Sequence, residues 1–242
     1  MTDWKQAFAI AKLELKASVL SFVFVLGFIL LLLSSLVSSL DSYMNNGYAG
    51  FDLLFILIFT FAPVWLKPKD FQSQIIYGDL LASPALVMQN QLPIRKEVLI
   101  KSRFIIHFFY SFPFQLLTVI ALYTFSPLQD LLSFDGFIAF AVMWIAFGVY
   151  AGYSIPYSEA GSKAPVKENT FMVVLGFIFL IAVLFLFSFI HLLFGNGIVY
   201  WSIIFAQKWP LLTSIISIML AIAGYQHWRF YMKKRMRNID YL

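Results

Sequence analysis

The sequence predicts an all-α integral membrane protein of six transmembrane helices, with both termini cytoplasmic. Three observations carry this. First, the 242 residues are 61% hydrophobic and only 12% charged, with a mean hydropathy of +0.84. Soluble domains are about half apolar and a quarter charged, so a water-solvated fold cannot absorb the excess. Second, apolar runs long enough to span recur, since roughly 20 residues at about 1.5 Å rise cross the hydrocarbon. Third, with six runs and both ends inside, 16 of the 17 Lys and Arg residues fall on the inner side, and only Lys208 falls outside. That asymmetry is the positive-inside pattern. It also accounts for the net charge of +5 without invoking nucleic acid.

The runs are 17–40, 48–66, 104–125, 137–158, 171–194 and 211–228. The second is the shortest, because Asp52 leaves an uncharged run of only 14 residues behind it. It reads as a span because Asp52 would lie near the outer surface, within reach of water. Dropping it would also put the basic cluster of 67–103 on the wrong face. Trp65, Trp209 and Trp228 fall at span ends, where an amphipathic ring is expected. Trp201 falls in an outer loop, and Trp144 is mid-span and reads as packed. Pro63, Pro113 and Pro156 lie within spans or near an end and read as simple packing bends, the alternative being kinks.

Two segments look helical but too short or too polar to cross. In residues 1–16, Trp4, Phe8, Ala11 and Leu15 form one stripe, with Lys5, Lys12 and Lys16 beside it. This predicts an interfacial helix in the headgroup plane; the alternative is a cytoplasmic helix capping the bundle. The stretch 198–206, IVYWSIIFA, is apolar but nine residues long. It reads as a re-entrant or outer-surface helix, or as an apolar loop packed on the bundle. The remaining chain, 17–242, forms a single transmembrane domain. Its inner segment 159–170 reads as a plain connector, with Asn169 or Thr170 capping the fifth span.

Several chemistries lack their residues. There is no cysteine, so disulfides and thiolate sites are excluded. His107, His191 and His227 stand apart, no HExxH occurs, and no two acids share a span. Each histidine therefore reads as a packed or interface residue, and neither catalytic nor metal residues are expected. No GxxxxGK[ST] occurs, so the chain holds no P-loop for ATP. Ionisable groups deep in the spans, which proton-coupled carriers keep, are nearly missing. An energy source outside the chain is expected.

The 67–103 loop is the longest polar stretch. Ser83-Pro84 predicts a helix start, with Ser as cap and Pro in the first turn. The helix would run through ALVMQNQ. Leu92, preceding Pro93, is pushed out of helical geometry, and Pro93 restarts a helix into the third span. Lys101 and Arg103 would snorkel to the headgroups. A short helix held rigidly against a span end suits docking into a partner's groove.

The segment Leu92-Pro93-Ile94-Arg95-Lys96 resembles the leucine-proline-apolar-x-basic signature before the third span of ABC-2 type transporter permeases. The six spans, amphipathic N-terminal helix, near-span segment between spans five and six, and basic C-terminal tail are similar as well. The resemblance implies a type V exporter-like fold. It implies that the 67–103 loop carries a coupling helix seated on a cytoplasmic ABC ATPase. The docking residues would be Asp79, Leu80, Ser83, Pro84, Met88, Gln89, Gln91 and Leu92, with Pro93, Arg95 and Lys96 behind. Two ATPase copies, binding ATP and magnesium, would serve two permeases, identical or homologous. The chain itself would hold no cofactor. Its compact size and lack of a large outer domain look most like the small permeases of Gram-positive bacteria. Those export peptides or confer resistance to antimicrobial peptides, which implies the bacterial plasma membrane. The competing expectations are a secondary carrier and a non-transporting scaffold or sensor subunit.

Overall fold

In a computed structural model, the chain is described over residues 2–65, 67–68, 71–77, 80–163 and 169–239. All of these side chains are described except those of 61–65, 77, 163, 169–173 and 175. Asp79, the predicted cap at Asn169 or Thr170, and the side chains of Pro63 and Trp65 therefore fall outside the description. The described residues are 85% helical, and among them are five helices long and apolar enough to cross a membrane. It is a helical membrane protein.

Helix α1, Asp3–Ala17, buries Ala7 and Ala11 against the bundle. Small residues on that face let α1 lie along α5 (Lys96–Phe125). After Ser18 the chain enters α2, Val19–Asn46. Val25, Ile29, Leu33, Leu36, Leu40 and Tyr43 recur at helical spacing and form its buried stripe. Gly47 ends α2 at a φ of 60°, a left-handed conformation that an L side chain resists.

Helix α3, Ala49–Trp65, has 17 residues and would reach about 25 Å. It is shorter than the five clear spanning helices. Phe51, Phe55 and Phe59 lie one turn apart and stack at 6.0 and 5.1 Å. Trp144 meets Phe55 edge-on at 4.5 Å. These rings sit in the main apolar core with Tyr110, Phe114 and Phe140.

The segment after α3 holds strands β1 (Gln74–Tyr77) and β2 (Leu80–Ala82), then helix α4, Pro84–Asn90. The long α5 follows as the central helix, touching α1, α2, α3 and α7 (Phe134–Gly152), and it continues through Pro113. The short α6, Leu128–Leu131, turns the chain into α7. Helix α7 stops at Gly152 and α8, Ser154–Glu159, takes over. The break lies four residues before Pro156, whose ring clashes with a helical carbonyl at that distance. Tyr153 keeps right-handed helical geometry and bonds to the Val149 carbonyl, so Phe134–Glu159 still forms one stretch long enough to cross a membrane.

Beyond α8, strand β3 (Ser162–Lys163) completes a three-stranded antiparallel sheet in the order β1-β2-β3. Leu80 pairs with Lys163, and Leu81 with Ser162. Gly161, at a φ of 107°, makes the turn into β3. The part of 159–170 up to Lys163 is therefore more than a plain connector, adding a small sheet to the helical fold.

Helix α9, Asn169–Phe194, presents an almost wholly exposed apolar surface from residue 176 onward. Helix α10, Ile198–Lys208, has 11 residues, about 16 Å, too short to cross. It packs on α7 through Val199, Ser202, Ile203 and Ala206. The stretch 198–206 is thus a packed helix rather than a loop, and Trp201 lies within it. Helix α11, Pro210–Asn238, runs ten residues past the predicted span end at 228 and makes the basic tail helical. Its Met232 and Met236 are fully buried with Leu86, Leu99, Ile100 and Phe104. This second core joins α4, α5, α8 and α11 at the basic end.

Candidate coupling surface and buried ion clusters

Helix α4 starts where Ser83-Pro84 predicts, with Pro84 in its first turn. Ser83 occupies the cap position, but its hydroxyl makes no capping bond and instead donates to the Phe71 carbonyl at 3.4 Å. The break at Leu92-Pro93 is a tight one. The Ile94 N–H donates to the Leu92 carbonyl at 2.6 Å, spanning Pro93 in a three-residue turn. Arg95 is extended, and α5 begins at Lys96 rather than at Pro93.

Helix α4 is anchored on one side and open on the other. Ser83, Leu86 and Val87 are buried, and Leu80 and Pro84 are half-buried. Met88 is 69% exposed and Leu92 is 55% exposed, beside the exposed Gln91 and Pro93. Ile75, on β1, is 66% exposed and extends the apolar surface of this region. Arg95 and Lys96 are both bound internally. Arg95 pairs with Asp3 of α1, and the Lys96 ammonium donates to the Met236 carbonyl of α11 at 2.9 Å. Both belong to the frame behind the surface as much as to the surface.

Behind α4 lies a buried cluster of four charges. Arg103, fully buried, donates to Glu14 Oε2 at 2.7 Å and to Gln89 Oε1 at 2.9 Å. Its Nη1 lies 3.8 Å from Glu159 Oε2. Lys67 pairs with Glu159 Oε1 and lies 3.9 Å from Glu14 Oε1. Two cations thus face two carboxylates, all at most a few per cent exposed. The cluster ties α1, the segment after α3, α5 and α8 to Gln89 of α4. Ser18 and Tyr110 hydrogen-bond nearby, linking the start of α2 to α5. Arg103 therefore does not snorkel to headgroups; it holds the interior together. His107, one turn further along α5, is fully buried, and neither ring nitrogen has a hydrogen-bond partner among the described residues.

A second cluster lies at the opposite end. Asp52, in the first turn of α3, is fully buried rather than open to water. Its carboxylate accepts from the Tyr43 hydroxyl at 2.8 Å and from the Val199 N–H at 2.8 Å. It also meets His191 Nε2 at 2.6 Å. The Tyr43 hydroxyl in turn accepts from the Tyr200 N–H at 3.1 Å. A carboxylate and a hydroxyl thus satisfy free N–H groups in the first turn of α10, where backbone donors lack helical partners. Gly197 lies so close that a Cβ there would overlap Asp52, His191 and Tyr43. His191 is therefore paired rather than merely packed.

On helix α1 the predicted stripe is split, with Ala11 buried against α5 and Trp4 and Phe8 exposed. Trp4, Phe8, Lys5, Lys12 and Lys16 are exposed, and Leu15 is half-buried. Its inward face carries Glu14, which the stripe argument passed over. The signal for Glu14 was an acid among lysines on an otherwise basic helix. The signals for Lys67 and Glu159 were weak, since each reads as an ordinary loop charge. Among the described residues, no group of three or more metal-ligating side chains occurs. No family model, no curated protein and no solved structure matches the chain.

Proposed function

We propose that the chain is the permease subunit of an ABC-2 type transporter. It crosses the cell membrane six times with both termini in the cytoplasm, with α3 as the second crossing. A separate cytoplasmic ATPase, present in two copies with ATP and magnesium, drives it, and a second permease copy or homologue completes the path. The cargo class is peptides or other amphipathic compounds, and the host membrane is a bacterial plasma membrane. The observation that carries this reading is α4. It is a short helix clamped from behind by Leu86, Val87 and Gln89, with Met88, Gln91 and Leu92 turned outward at the basic end. A rigid, partly apolar protrusion on a charge-tied base suits a groove-docking contact.

The test is co-purification of the tagged chain from its native membrane in mild detergent, with associated proteins identified by mass spectrometry. A roughly stoichiometric P-loop ATPase is expected. Met88→Asp with Leu92→Asp should lower its recovery at least about tenfold while leaving the chain monodisperse, since central interface residues commonly cost 1–2 kcal/mol or more. A chain that purifies alone, even after crosslinking, sinks the reading.

The buried Asp52–His191 pair favours a different class, a secondary carrier, because ionisable groups inside spans often mark ion paths. Its place in the first turn of α3 and its bonds to α10 support a structural clasp instead. Transport driven by a proton gradient without ATP would reverse that preference.

A further inference from the structure

An aromatic groove opens between α1, α5 and α11, next to the junction of α7 and α8, with a cavity volume of about 380 Å³. That falls in the roughly 300–1,000 Å³ range of small-molecule clefts. Three elements place it at the boundary between charged and apolar chain. On α5 its wall is Phe104, Ile105, Phe108 and Phe109, the first apolar turns after Arg103. On α11 it is Tyr225, one turn before Arg229, the first charge of the tail. On α1 it is Trp4 and Phe8, both about half exposed. Tyr153, at the break between α7 and α8, closes the floor against Phe104 at 4.8 Å.

The rim is cationic. Lys101 holds its ammonium 5.1 Å from the centre of the Trp4 ring and 3.5 Å from Asp3. Lys5 adjoins Trp4, and Lys12 follows two turns on; both are exposed. Among the described residues of α1, the acids are Asp3 and Glu14, and both are already engaged by cations of α5. The exposed lysines of α1 face outward without such neutralisation from their own helix.

We infer that this groove is a binding site for an anionic phospholipid, with one acyl chain between the α1 and α5 rings and the phosphate on Lys5 and Lys12. An apolar wall alone would suit any lipid. The lysine row beside it is what selects charge. Each Lys near a membrane surface contributes on the order of 1 kcal/mol toward anionic lipid, equivalent to about fivefold in affinity. The inference rests on the membrane-embedded fold and stands whether or not the chain is a permease.

Trp4 is a built-in reporter. The full chain is placed in nanodiscs, and the fluorescence of its six tryptophans is compared with that of Trp4→Phe to isolate the Trp4 component. Brominated-chain phosphatidylglycerol is titrated into unbrominated phosphatidylcholine, and brominated phosphatidylcholine into unbrominated phosphatidylglycerol. The site predicts half-maximal quenching of Trp4 at a mole fraction of the brominated anionic lipid lower by up to about 25-fold, fivefold for each of the two lysines. Lys5→Gln with Lys12→Gln should remove that preference, about fivefold per lysine, while quenching by the zwitterionic lipid persists. Quenching that follows bulk mole fraction equally for both lipids means an unselective lipid annulus and overturns the inference. Absence of Trp4 quenching by either lipid means the groove is covered by protein, such as a second copy, and overturns it as well.

Discussion

Replacing Arg103 with methionine tests what holds the basic end together. The side chain is fully buried and makes charge-assisted bonds to Glu14 at 2.7 Å and Gln89 at 2.9 Å, with Glu159 at 3.8 Å. In the native cluster two cations balance two carboxylates. Methionine keeps most of the volume but leaves Glu14 and Glu159 against Lys67 alone. Breaking a buried pair by removing one partner costs about 3–5 kcal/mol, because the partner's charge stays buried and uncompensated. Replacing a balanced set with apolar or neutral groups is often close to neutral. Arg103→Met should therefore be severe, and Arg103→Met with Glu14→Gln should recover much of the loss. For a chain of this size about 1 kcal/mol corresponds to roughly 2–4 °C. The single variant should fall by about 6–20 °C in apparent melting temperature in mild detergent, read from the monodisperse fraction after heating. Equal loss in the single and the balanced double variant would refute charge balance as the cause and leave packing around Arg103 as the explanation.

Two further outcomes concern the opposite end. Gly197→Ala should destabilise strongly, because its methyl would overlap Asp52, His191 and Tyr43, whereas Gly27→Ala meets nothing within 4 Å and should be neutral or slightly stabilising; the comparison is read in the same heating assay. Tyr43→Phe removes the donor to Asp52 and the acceptor for the Tyr200 N–H, which should cost about 1–3 kcal/mol and speed amide exchange in the first turn of α10, measured by hydrogen–deuterium mass spectrometry.

The long apolar runs made the five clear spanning helices legible, because composition and length decide them almost without tertiary help. The Leu92-Pro93 break was equally legible, since proline acts on its own neighbours. What escaped were residues whose role depends on who comes to meet them. Arg103 and Lys101 look alike in sequence, two residues apart at a span entrance. One faces Asp3 and Trp4 at the surface; the other points into the bundle, where Glu14 and Glu159 arrive from positions 89 and 56 residues away. Asp52 was misread for the same reason. A carboxylate near a helix start normally finds water, and only the fold brings Tyr43, His191 and the start of α10 over it. Strand β3 was hidden because two residues carry no period, and its pairing is with Leu80 and Leu81 far upstream.

The two buried clusters differ in what they join, and that difference bears on movement. The Asp52 cluster fastens neighbours that already share one end of the bundle: α2, α3, the end of α9 and α10. The Arg103 cluster joins parts of opposite kinds. Gln89 belongs to α4, which ends in the exposed Met88–Leu92 surface, while Arg103 and Glu159 sit on two long membrane-crossing segments and Glu14 on the helix beside them. A force applied at α4 therefore has a short path through two hydrogen bonds into α5 and α1, and through the carboxylate of Glu159 into α8. Exposed loop charges would dissipate such a push, since water screens and reorients them. Buried, charge-balanced groups resist separation, so the elements they join should move together or not at all. On that ground Gln89→Leu is the most selective probe: it cuts the α4 link without unbalancing a charge. It should cost about 1.5–3 kcal/mol, as for one lost hydrogen bond to a buried charged group, less than Arg103→Met, and, on the proposed coupling role of α4, lower transport per ATP hydrolysed. A loss of stability as large as that of Arg103→Met would show that Gln89 is structural and that the path from α4 runs elsewhere.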